Sequence, residues 1–480
     1  MSEQVKRTFT TRTPDKPGAF MQACKAIGGH GGNITRVSYK RGALNLFIEV
    51  MGTKEQLRAI EQDLGQMAYV SLDAVEPTVL VMEVKIPDTP GSLLPVLEAI
   101  SRYEVNISYL NSRADENADH QFFNIGMEVK DPASAKRILD EVSGLYMLNV
   151  SSYNGSDADL DCTVKYIRLA NKIQRLFSLG DDRAVEFISE CRDVASLMKS
   201  RGQSPDGVLD SILKLAEFIA YHRDLNFKPR ITKQALTPET DLVVVEPPCG
   251  SNTYILRNGD DLLFVDTGMG IFSDEMITEL WEMFPAFFSM GKTILVTHAD
   301  ADRCGLLSVI ENARIIVSAK AEARLYDMAV PVGDEDPYNY CYARLSRIIT
   351  DYVPPERSLV EVIGGAPEEH DGFKPLGRVP FGDLELEVLE GPGLRTRGEM
   401  VVLCRQPRLL FTGDIYCNTD DVIPERAEFN SIAPFVPKDP EKDLAALEDT
   451  RSKLGEVMDS VGRDGMIVCG GHGSIRRLRS

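Results

Sequence analysis

Residues 297–305 read THADADRCG, which places one imidazole and two carboxylates at alternate positions directly after the apolar run TILV. His298, Asp300 and Asp302 are therefore candidate ligands for a divalent cation, or candidate acid and base groups. Arg303 follows them, and its guanidinium cannot ligate a metal but stays protonated, so it can neutralise an acid or hold an anion. Polar residues that follow a strand are typical of a site built on loops above a rigid sheet. This motif therefore predicts partners at the ends of other strands.

Later apolar runs also end in polar residues. Asp414 follows LLFTG, and His472 follows MIVCGG. Three protein ligands with open positions can hold one ion, and carboxylates in place of imidazoles move the preference from zinc towards iron(II) or manganese. The sequence thus predicts one divalent metal ion, which is iron, manganese or zinc. The candidate ligands are His298, Asp300, Asp302, Asp414 and His472, and the candidate catalytic residues are Asp300, Asp302 and Arg303.

From residue 241 onward the chain consists of short β-like runs separated by glycine and aspartate turns. In the order NTYIL…LLFVDTG, THADADRCG, LEGPG, FTGDIY and GGHG, its motifs resemble those of the metallo-β-lactamase fold over roughly residues 240–475. The resemblance implies an αββα sandwich and a metal-dependent hydrolase. In such an enzyme the metal activates water, Asp300 or Asp302 acts as base, and Arg303 steadies the developing anion.

The metal-binding stretch of that family, His-x-His-x-Asp-His, is altered in this chain. Asp300 replaces the second histidine, Arg303 replaces the last, and Leu394 stands where a further histidine is usual. In having a carboxylate at the position of Asp300, the chain is similar to the flavo-diiron branch of the fold, but that branch keeps the other histidines. Because this chain lacks those histidines, its sequence favours a mononuclear centre over a full dinuclear one. Its two possible ligand sets are His298, Asp300 and Asp414, or Asp302, Asp414 and His472.

The first third of the chain contains a repeat. Residues 13–37 are echoed by residues 86–110, and matching residues at both ends of the segment recur after the same 73 positions. Each copy begins with a strand-like run that ends at Asp-x-Pro-Gly, where the Asp can accept from the first amides of a helix. The pattern predicts the element order βαββαβ in each copy. The recurring residues include Asp15, Gly18 and Asn33, which correspond to Asp88, Gly91 and Asn106.

These two copies resemble ACT domains, which are ferredoxin-like modules that sense amino acids. The resemblance implies an amino acid held between paired modules, and the amides of a helix N-terminus suit its carboxylate. The alternative is that the shared residues serve only as turn residues. Modules of this kind expose a sheet edge, so a homodimer or homotetramer is expected. The candidate effector-binding residues are Asp15, Gly18, Asn33, Asp88, Gly91 and Asn106.

Between the repeat and the β-rich region, apolar residues at helical spacing predict a connector of three amphipathic helices over residues 160–225. The net charge of −20 argues against a nucleic-acid partner. No run is apolar enough for a membrane span, and nine cysteines without a disulfide framework suit a reducing compartment, so we expect a cytoplasmic protein. Cys304 follows Arg303, whose charge is expected to lower the pKa of the thiol.

The sequence thus predicts an α+β multidomain protein with four parts. Two functions from different classes remain open. The predicted function is an amino-acid-regulated metal-dependent hydrolase with the ACT-like pair as its allosteric sensor. The other is a non-catalytic sensor or scaffold whose altered site binds a metal, an anion or oxygen, or is metal-free, with Arg303 in the place of the second ion. The predicted parts are 1–75 (first ACT module), 76–152 (second ACT module), 153–236 (helical connector) and 237–480 (metallo-β-lactamase-like sandwich).

Overall fold

The described part of the chain is a mixed α+β structure with several sheets. None of its helices combines the length and the apolar character that a membrane crossing requires. The computed structural model describes residues 4–12, 19–40, 45–66, 78–103, 105–114, 119–129, 131–153, 162–200, 202–326, 344–365, 372–393, 398–432 and 440–479.

The first repeat forms a three-stranded antiparallel sheet with the strand order β1-β3-β2, covered by two helices. Apolar residues on one face of the sheet pack with the helices in a small core of their own. The fourth strand predicted for this copy falls within residues 67–77, which lie outside the described residues. The elements are β1 (Gln4–Arg12), α1 (Ala19–Gly29), β2 (Asn33–Lys40), β3 (Asn45–Thr53) and α2 (Lys54–Gln66).

The second repeat has the predicted order βαββαβ, and its four antiparallel strands are arranged β5-β6-β4-β7. Alternate residues of β4 are buried beneath α3 and α4, so the other residues of this strand line the opposite face. The elements are β4 (Thr78–Pro87), α3 (Leu94–Ser101), β5 (Asn106–Ala114), β6 (His120–Val129), α4 (Pro132–Ser143) and β7 (Leu148–Tyr153).

The expectation that Asp88 caps the helix of the second repeat is wrong. The helix begins at Leu94, after a turn, and its N-cap residue Leu93 makes no side-chain capping bond. Asp88 instead accepts a hydrogen bond of 2.5 Å from Gln121 on the neighbouring strand β6. The intervening turn, which contains Gly91 at a φ of +89°, moves the first helical amides beyond the reach of the carboxylate.

The connector contains three helices, as the apolar periodicity predicts, and its core is continuous with those of its neighbours. Buried side chains run without interruption from the second repeat, through the three helices, to one face of the following sheet. The predicted boundaries of the parts stay a prediction, although the first strand of that sheet starts before residue 237. The elements are α5 (Thr163–Phe177), α6 (Asp181–Ser200), α7 (Asp206–Tyr221) and β8 (Arg230–Ala235).

The rest of the chain forms two sheets that pack face to face. One has the strand order β14-β13-β12-β11-β10-β9-β8, and the other has the order β15-β16-β17-β18-β19-β20. The Asn-Gly sequence forms a tight hairpin turn between β10 and β11, with Gly259 at a φ of +57°. The remaining strands of the first sheet and the helices that accompany it are β9 (Thr240–Glu246), β10 (Thr253–Asn258), β11 (Asp261–Val265), α8 (Ser273–Met283), β12 (Gly291–Leu295), β13 (Ala313–Ser318), α9 (Ala319–Tyr326), α10 (344–349) and β14 (Val360–Ile363).

Apolar residues from both sheets form the core between them. The outer face of the second sheet packs against α12, and the outer face of the first sheet continues into the core of the connector, so the layers are helix, sheet, sheet, helix. The elements of the second sheet and its helices are β15 (Lys374–Phe381), β16 (Leu384–Glu390), β17 (Met400–Cys404), β18 (Leu409–Gly413), α11 (Pro424–Ser431), α12 (Pro440–Val461), β19 (Ile467–Gly470) and β20 (Arg476–Arg477).

Ion pairs join the connector to the first sheet's helices. Glu190 of α6 pairs with Arg344 of α10. Glu186, one turn earlier in α6, pairs with Arg347, one turn later in α10. The side chain of Glu190 is 3% exposed, and its burial raises the pKa of its carboxyl to about 7, although Arg344 acts in the opposite direction. A buried carboxyl group is costly to ionise, so the ion pair between Glu190 and Arg344 depends on pH.

We predict that the free energy of unfolding of the wild type falls relative to that of Glu190→Gln as the pH rises from about 4.5 to about 7. A carboxyl whose pKa is higher in the folded state stabilises the fold below its unfolded pKa, and this contribution disappears above the folded pKa. The expected change in the difference is about 1–3 kcal/mol, measured by urea unfolding of both proteins at several pH values. A difference that does not vary with pH would contradict the assignment.

Candidate metal centre

The four loops of the site follow two pairs of parallel strands. Asp266 and His298 follow β11 and β12, which are parallel neighbours in the first sheet. Asp414 and His472 follow β18 and β19, which are parallel neighbours in the second sheet. The carboxyl ends of parallel neighbours lie at the same edge, and the stacked sheets bring the two edges together. Side chains from four separate strand ends, three of them predicted as site positions, therefore lie in one cluster.

Arg303 lies at the centre of this cluster and is fully buried. Its Nη2 donates to Asp414 Oδ1, and its Nη1 donates to Asp266 Oδ2 at 3.2 Å. Asp302 Oδ1 lies 4.0 Å from Nε. The three acids hold the pKa of Arg303 above its usual value although burial alone would lower it. The guanidinium therefore carries a permanent positive charge between the two sheets.

The contact with Arg303 also shifts the pKa of Asp414. Burial alone would raise the pKa of its carboxyl, but Arg303 and His472 together hold that pKa well below its usual range. Asp414 is therefore ionised. Asp266 is different, because burial outweighs Arg303 and His298 and raises its pKa.

Gly471 makes room for the contact between Arg303 and Asp414. A Cβ at this position would lie 2.3 Å from Asp414 Oδ1 and 2.4 Å from Arg303 Nη2. Such separations are far below van der Waals contact, so a side chain here would displace the ion pair. The second glycine of the GGHG motif is thus required by the charges beside it.

His298 is oriented by a chain of hydrogen bonds that begins at Asp266. Thr297 Oγ1 donates its proton to Asp266 Oδ2 at 2.8 Å, so it accepts from Nδ1 of His298 at 3.1 Å. This assigns the proton of a neutral His298 to Nδ1 and leaves a lone pair on Nε2. Asp266, which itself has a φ of +60°, thus fixes the tautomer of a candidate ligand.

The Nε2 atom of His298 is buried and has no hydrogen-bond partner. It lies 3.6 Å from Asp300 Oδ2 and 3.6 Å from Asp414 Oδ2. Two atoms that each lie about 2.1 Å from one ion, at an angle close to tetrahedral, are separated by about 3.4–3.6 Å. Burial alone would lower the pKa of His298, but Asp414 and Asp300 raise it. The position therefore favours a positive charge, which either a proton or a metal ion could supply.

His472 has the opposite character. Its Nδ1 lies 3.0 Å from the carbonyl oxygen of Gly250 and donates to it, so Nε2 accepts from Arg303 Nη2 at 3.2 Å. Burial lowers the pKa of His472 even though Asp414 raises it. This histidine is neutral, and the guanidinium uses its lone pair.

Among the described residues, one set of three potential ligands has all its ligand atoms within 4.8 Å of one another, and it consists of Asp414, Cys417 and His472. Arg303 already contacts two of its members. The pairs that His298 makes with Asp300 and with Asp414 do not close into a comparable set. Among His298, Asp300 and Asp414, Asp300 is the least buried. Its side chain is 21% exposed, compared with 1% for His298 and 6% for Asp414.

Asp300 and Asp302 lie on the wall of a small cavity of about 30 Å³, which has room for about two water molecules. Asp300 Oδ1 also lies 3.8 Å from Arg324 Nη2. Side chains of α7 and α10 and the ring of Phe429 also line this cavity. The connector thus contributes to the cavity beside the acidic loop.

The predicted effector residues do not join this site. Asn33 begins β2 and is exposed, and Asp88 and Gly91 are exposed in the turn before α3. Their proposed role stays a prediction. Asp15, Gly18 and Leu394 lie outside the described residues, as does the side chain of Asn106.

Three functional residues were missed by the sequence reasoning. Asp266 follows the apolar run LLFV and Cys417 follows FTGDIY, but neither was assigned to the site. Arg426 gave no signal, because its helix α11 reads as a surface helix. It is nevertheless buried and lies over the ring of Phe429. It donates to the carbonyl oxygen of Gly250, which also accepts from His472 Nδ1.

The expectation for Cys304 is wrong. Burial raises the pKa of this thiol well above its usual value, and the nearby acids add to that effect, while Arg303 only partly opposes it. The thiol donates to the carbonyl oxygen of Asp300 at 2.9 Å. Cys304 therefore supports the loop rather than providing a reactive thiolate.

No family model and no curated protein matches the chain. Solved structures do match about half of it. The apo chemotaxis sensor ODP from T. denticola matches with a TM-score of 0.33 and 15% identity, over 52% of this chain and 89% of that one. A metallo-β-lactamase from Pontibacter korlensis gives 0.33 and 15%, over 52% and 94%. A flavo di-iron protein from Thermotoga maritima gives 0.32 and 15%, over 52% and 58%. These scores are too low to support an argument about function.

We predict that Arg303→Met lowers the free energy of unfolding by about 3–5 kcal/mol, because it leaves buried acids without their cation. The matched control is Arg314→Met, which removes an ion pair with Glu361 whose side chains are about half exposed and costs about 0–1 kcal/mol. Both values can be measured by urea unfolding at pH 7. Equal losses in the two variants would contradict the central role of Arg303.

We also predict that Gly471→Ala destabilises the protein by about 1–3 kcal/mol through overpacking. Gly365→Ala is the matched control, because no atom lies within 4 Å of a Cβ built at that exposed glycine. Thermal unfolding of the two variants checks this. If both melt at the wild-type temperature, the close approach of Gly471 to the ion pair is not a constraint.

Proposed function

We propose that the second half of the chain is a metallo-β-lactamase-like sandwich that binds a single divalent cation and acts as a sensor or binding module. The cation would be held by His298, Asp300 and Asp414. Two parallel strand pairs with acids and histidines at their ends support the family resemblance, which the order of the sequence motifs first indicated. The observation that carries the proposal is the buried Nε2 of His298, which lies between two carboxylates without a hydrogen-bond partner.

Arg303 supports one cation rather than two. Its Nη2 contacts both Asp414 Oδ1 and His472 Nε2, which are the atoms that a second ion would need. A guanidinium cannot ligate a metal, so it fills this half of the site as a fixed charge. For the first half to close around an ion, the side chain of Asp300 would turn towards Asp414. One imidazole with two carboxylates suits iron(II), manganese or zinc.

The size of the cavity favours binding over hydrolysis. The cavity of about 30 Å³ beside Asp300 and Asp302 has room for about two water molecules, which is small for an ester or a phosphodiester. A bound cation would supply Lewis acidity at the end of this cavity. The chain's own residues orient His298 and fix Asp414 in its ionised form, and side chains of α7 and α10 line the cavity beside Asp300.

A metal-dependent hydrolase is the second candidate. The exposed portion of Asp302, 23% of its side chain, beside the cavity favours it, because this acid could act as a base. In this candidate Arg303 would steady an anion, but its donors already contact Asp266, Asp414 and His472. Such an enzyme would have to move the helices of the connector and rearrange these pairs.

The proposal for the first third of the chain is amino-acid sensing by an ACT-like pair, in a homodimer or homotetramer. The 73-residue repeat and the βαββαβ order of the second copy support it. The continuous core between this copy and the connector would carry a signal to the sandwich.

We predict that the purified chain, loaded without oxygen with iron(II), manganese or zinc, retains about one equivalent of metal, since Arg303 fills the second position. His298→Ala should lose the metal, and His472→Ala should keep it. Elemental analysis measures the stoichiometry. Two equivalents, or loss of metal in His472→Ala alone, would contradict the proposed ligand set.

Turnover separates the two candidate functions. The sensor predicts no hydrolysis of ester, phosphodiester or β-lactam panels by the metal-loaded protein. The hydrolase predicts turnover that a chelator abolishes and that His298→Ala lacks. Such a chelator-sensitive activity would replace the sensor proposal.

A further inference from the structure

Arg426 is a second buried cation near the candidate metal centre, and the proposed function does not use it. The residue is 3% exposed and forms no ion pair with a carboxylate of the described chain. Burial lowers the pKa of its guanidinium, although Asp302 acts in the opposite direction, and an arginine nevertheless stays protonated. Arg303 differs, because three acids compensate it. Since buried polar groups are costly unless their donors are satisfied, the few contacts of Arg426 are strict requirements.

Two groups satisfy Arg426. Its Nη2 donates to the carbonyl oxygen of Gly250, and its Cζ lies 5.6 Å from the centre of the Phe429 ring, about one turn later in α11. The face of an aromatic ring attracts a cation, and a hydrogen bond from a charged donor is stronger than one from a neutral donor. The helix α11 thus holds the carbonyl of Gly250 in place.

The same carbonyl oxygen orients His472. The Nδ1 atom of His472 donates to it at 3.0 Å, and its two lone pairs allow it to accept from Arg426 as well. With the proton on Nδ1, His472 presents the lone pair of Nε2 to Arg303 Nη2 at 3.2 Å. The other tautomer would set a proton on Nε2 against a second donor. The position of Gly250 O therefore decides which nitrogen of His472 carries the proton.

Helix α11 packs in turn against the connector. The ring centroids of Phe429 and Phe218, which lies on α7, are 5.5 Å apart, with an interplanar angle of 57°. Phe429 also lines the small cavity together with Leu215 and Ile219 of α7. Close-packed interiors transmit strain. A shift of α7 therefore displaces the ring on which the guanidinium of Arg426 lies.

We propose that Arg426 is a positioning residue of the candidate metal centre, which fixes the tautomer of His472 through Gly250 O. The contact between Phe429 and Phe218 makes this arrangement depend on the position of α7. The inference goes beyond the proposed function, because it concerns contacts among the chain's own residues and does not require a bound cation. It gives the connector a defined route to the residues around Arg303.

Nuclear magnetic resonance of the ring nitrogens, in metal-free protein labelled at histidine and at neutral pH, tests the proposal. The chain has six histidines, and the spectrum of His472→Ala identifies the signals of His472. The wild type should show a single tautomer with the proton on Nδ1. Arg426→Met keeps an unbranched side chain but removes the charge and the donors, so it should populate both tautomers. Arg426→Lys restores a charged donor and should keep the wild-type pattern.

Phe218→Leu tests the link to the connector without a change in α11. It should shift the signals of His472 towards those of the mixture. Phe227→Leu is the matched control and should leave these signals unchanged. Phe227 and Phe218 are both 8% exposed, but the aromatic partner of Phe227 is Phe272, at 5.1 Å, rather than a residue of α11.

The outcomes decide each part of the proposal. A single tautomer protonated on Nδ1 in Arg426→Met, or a proton on Nε2 in the wild type, would overturn the positioning role. Equal spectra of Phe218→Leu and Phe227→Leu would overturn the link to the connector, and this comparison remains decisive if Arg426→Met does not fold. Failure of the wild type to retain a metal ion would contradict the proposed function alone, because all spectra are recorded without metal.

Discussion

The buried guanidinium of Arg303 is the interaction on which the arrangement of the site depends. It lies between acids from both sheets and contacts His472, which follows β19. A charge without solvent is tolerated only when it is fully compensated, so the positions of Asp266 and Asp414 are set together. Arg303 also restricts the chemistry of the site. Its guanidinium already contacts Asp414 Oδ1 and His472 Nε2, which are the atoms that a second ion would need.

This constraint divides the site into two unequal halves. On one side Asp414 and His472 are satisfied by the protein itself. On the other side His298 has a free nitrogen and two carboxylates nearby. The chain from Asp266 through Thr297 to His298 links the halves, since one acid both compensates Arg303 and sets the tautomer of the free histidine. A site of this kind is suited to holding one charge in a defined place.

Much of this could be predicted from the sequence, and the failures have identifiable causes. The polar residues after apolar runs pointed to strand ends that lie near one another, because the carboxyl ends of parallel neighbouring strands meet at one edge of a sheet. Their role as metal ligands stays a prediction. The depth of Arg303 and the role of Asp266 could not be predicted, since they depend on how far the two sheets approach one another. The cap expected at Asp88 failed because a turn of several residues separates it from the helix. The expected acidity of Cys304 failed because burial outweighed one neighbouring charge.

The cores of the two repeats differ in what they are attached to. The second repeat shares its buried side chains with the connector and the first sheet of the sandwich, whereas the first repeat, over the residues described, keeps a separate set drawn only from its own strands and helices. Local opening of a protein follows such units of shared burial. The amino-terminal copy can therefore open and refold as an independent unit, while local opening of the second copy disturbs the body that contains the candidate metal centre.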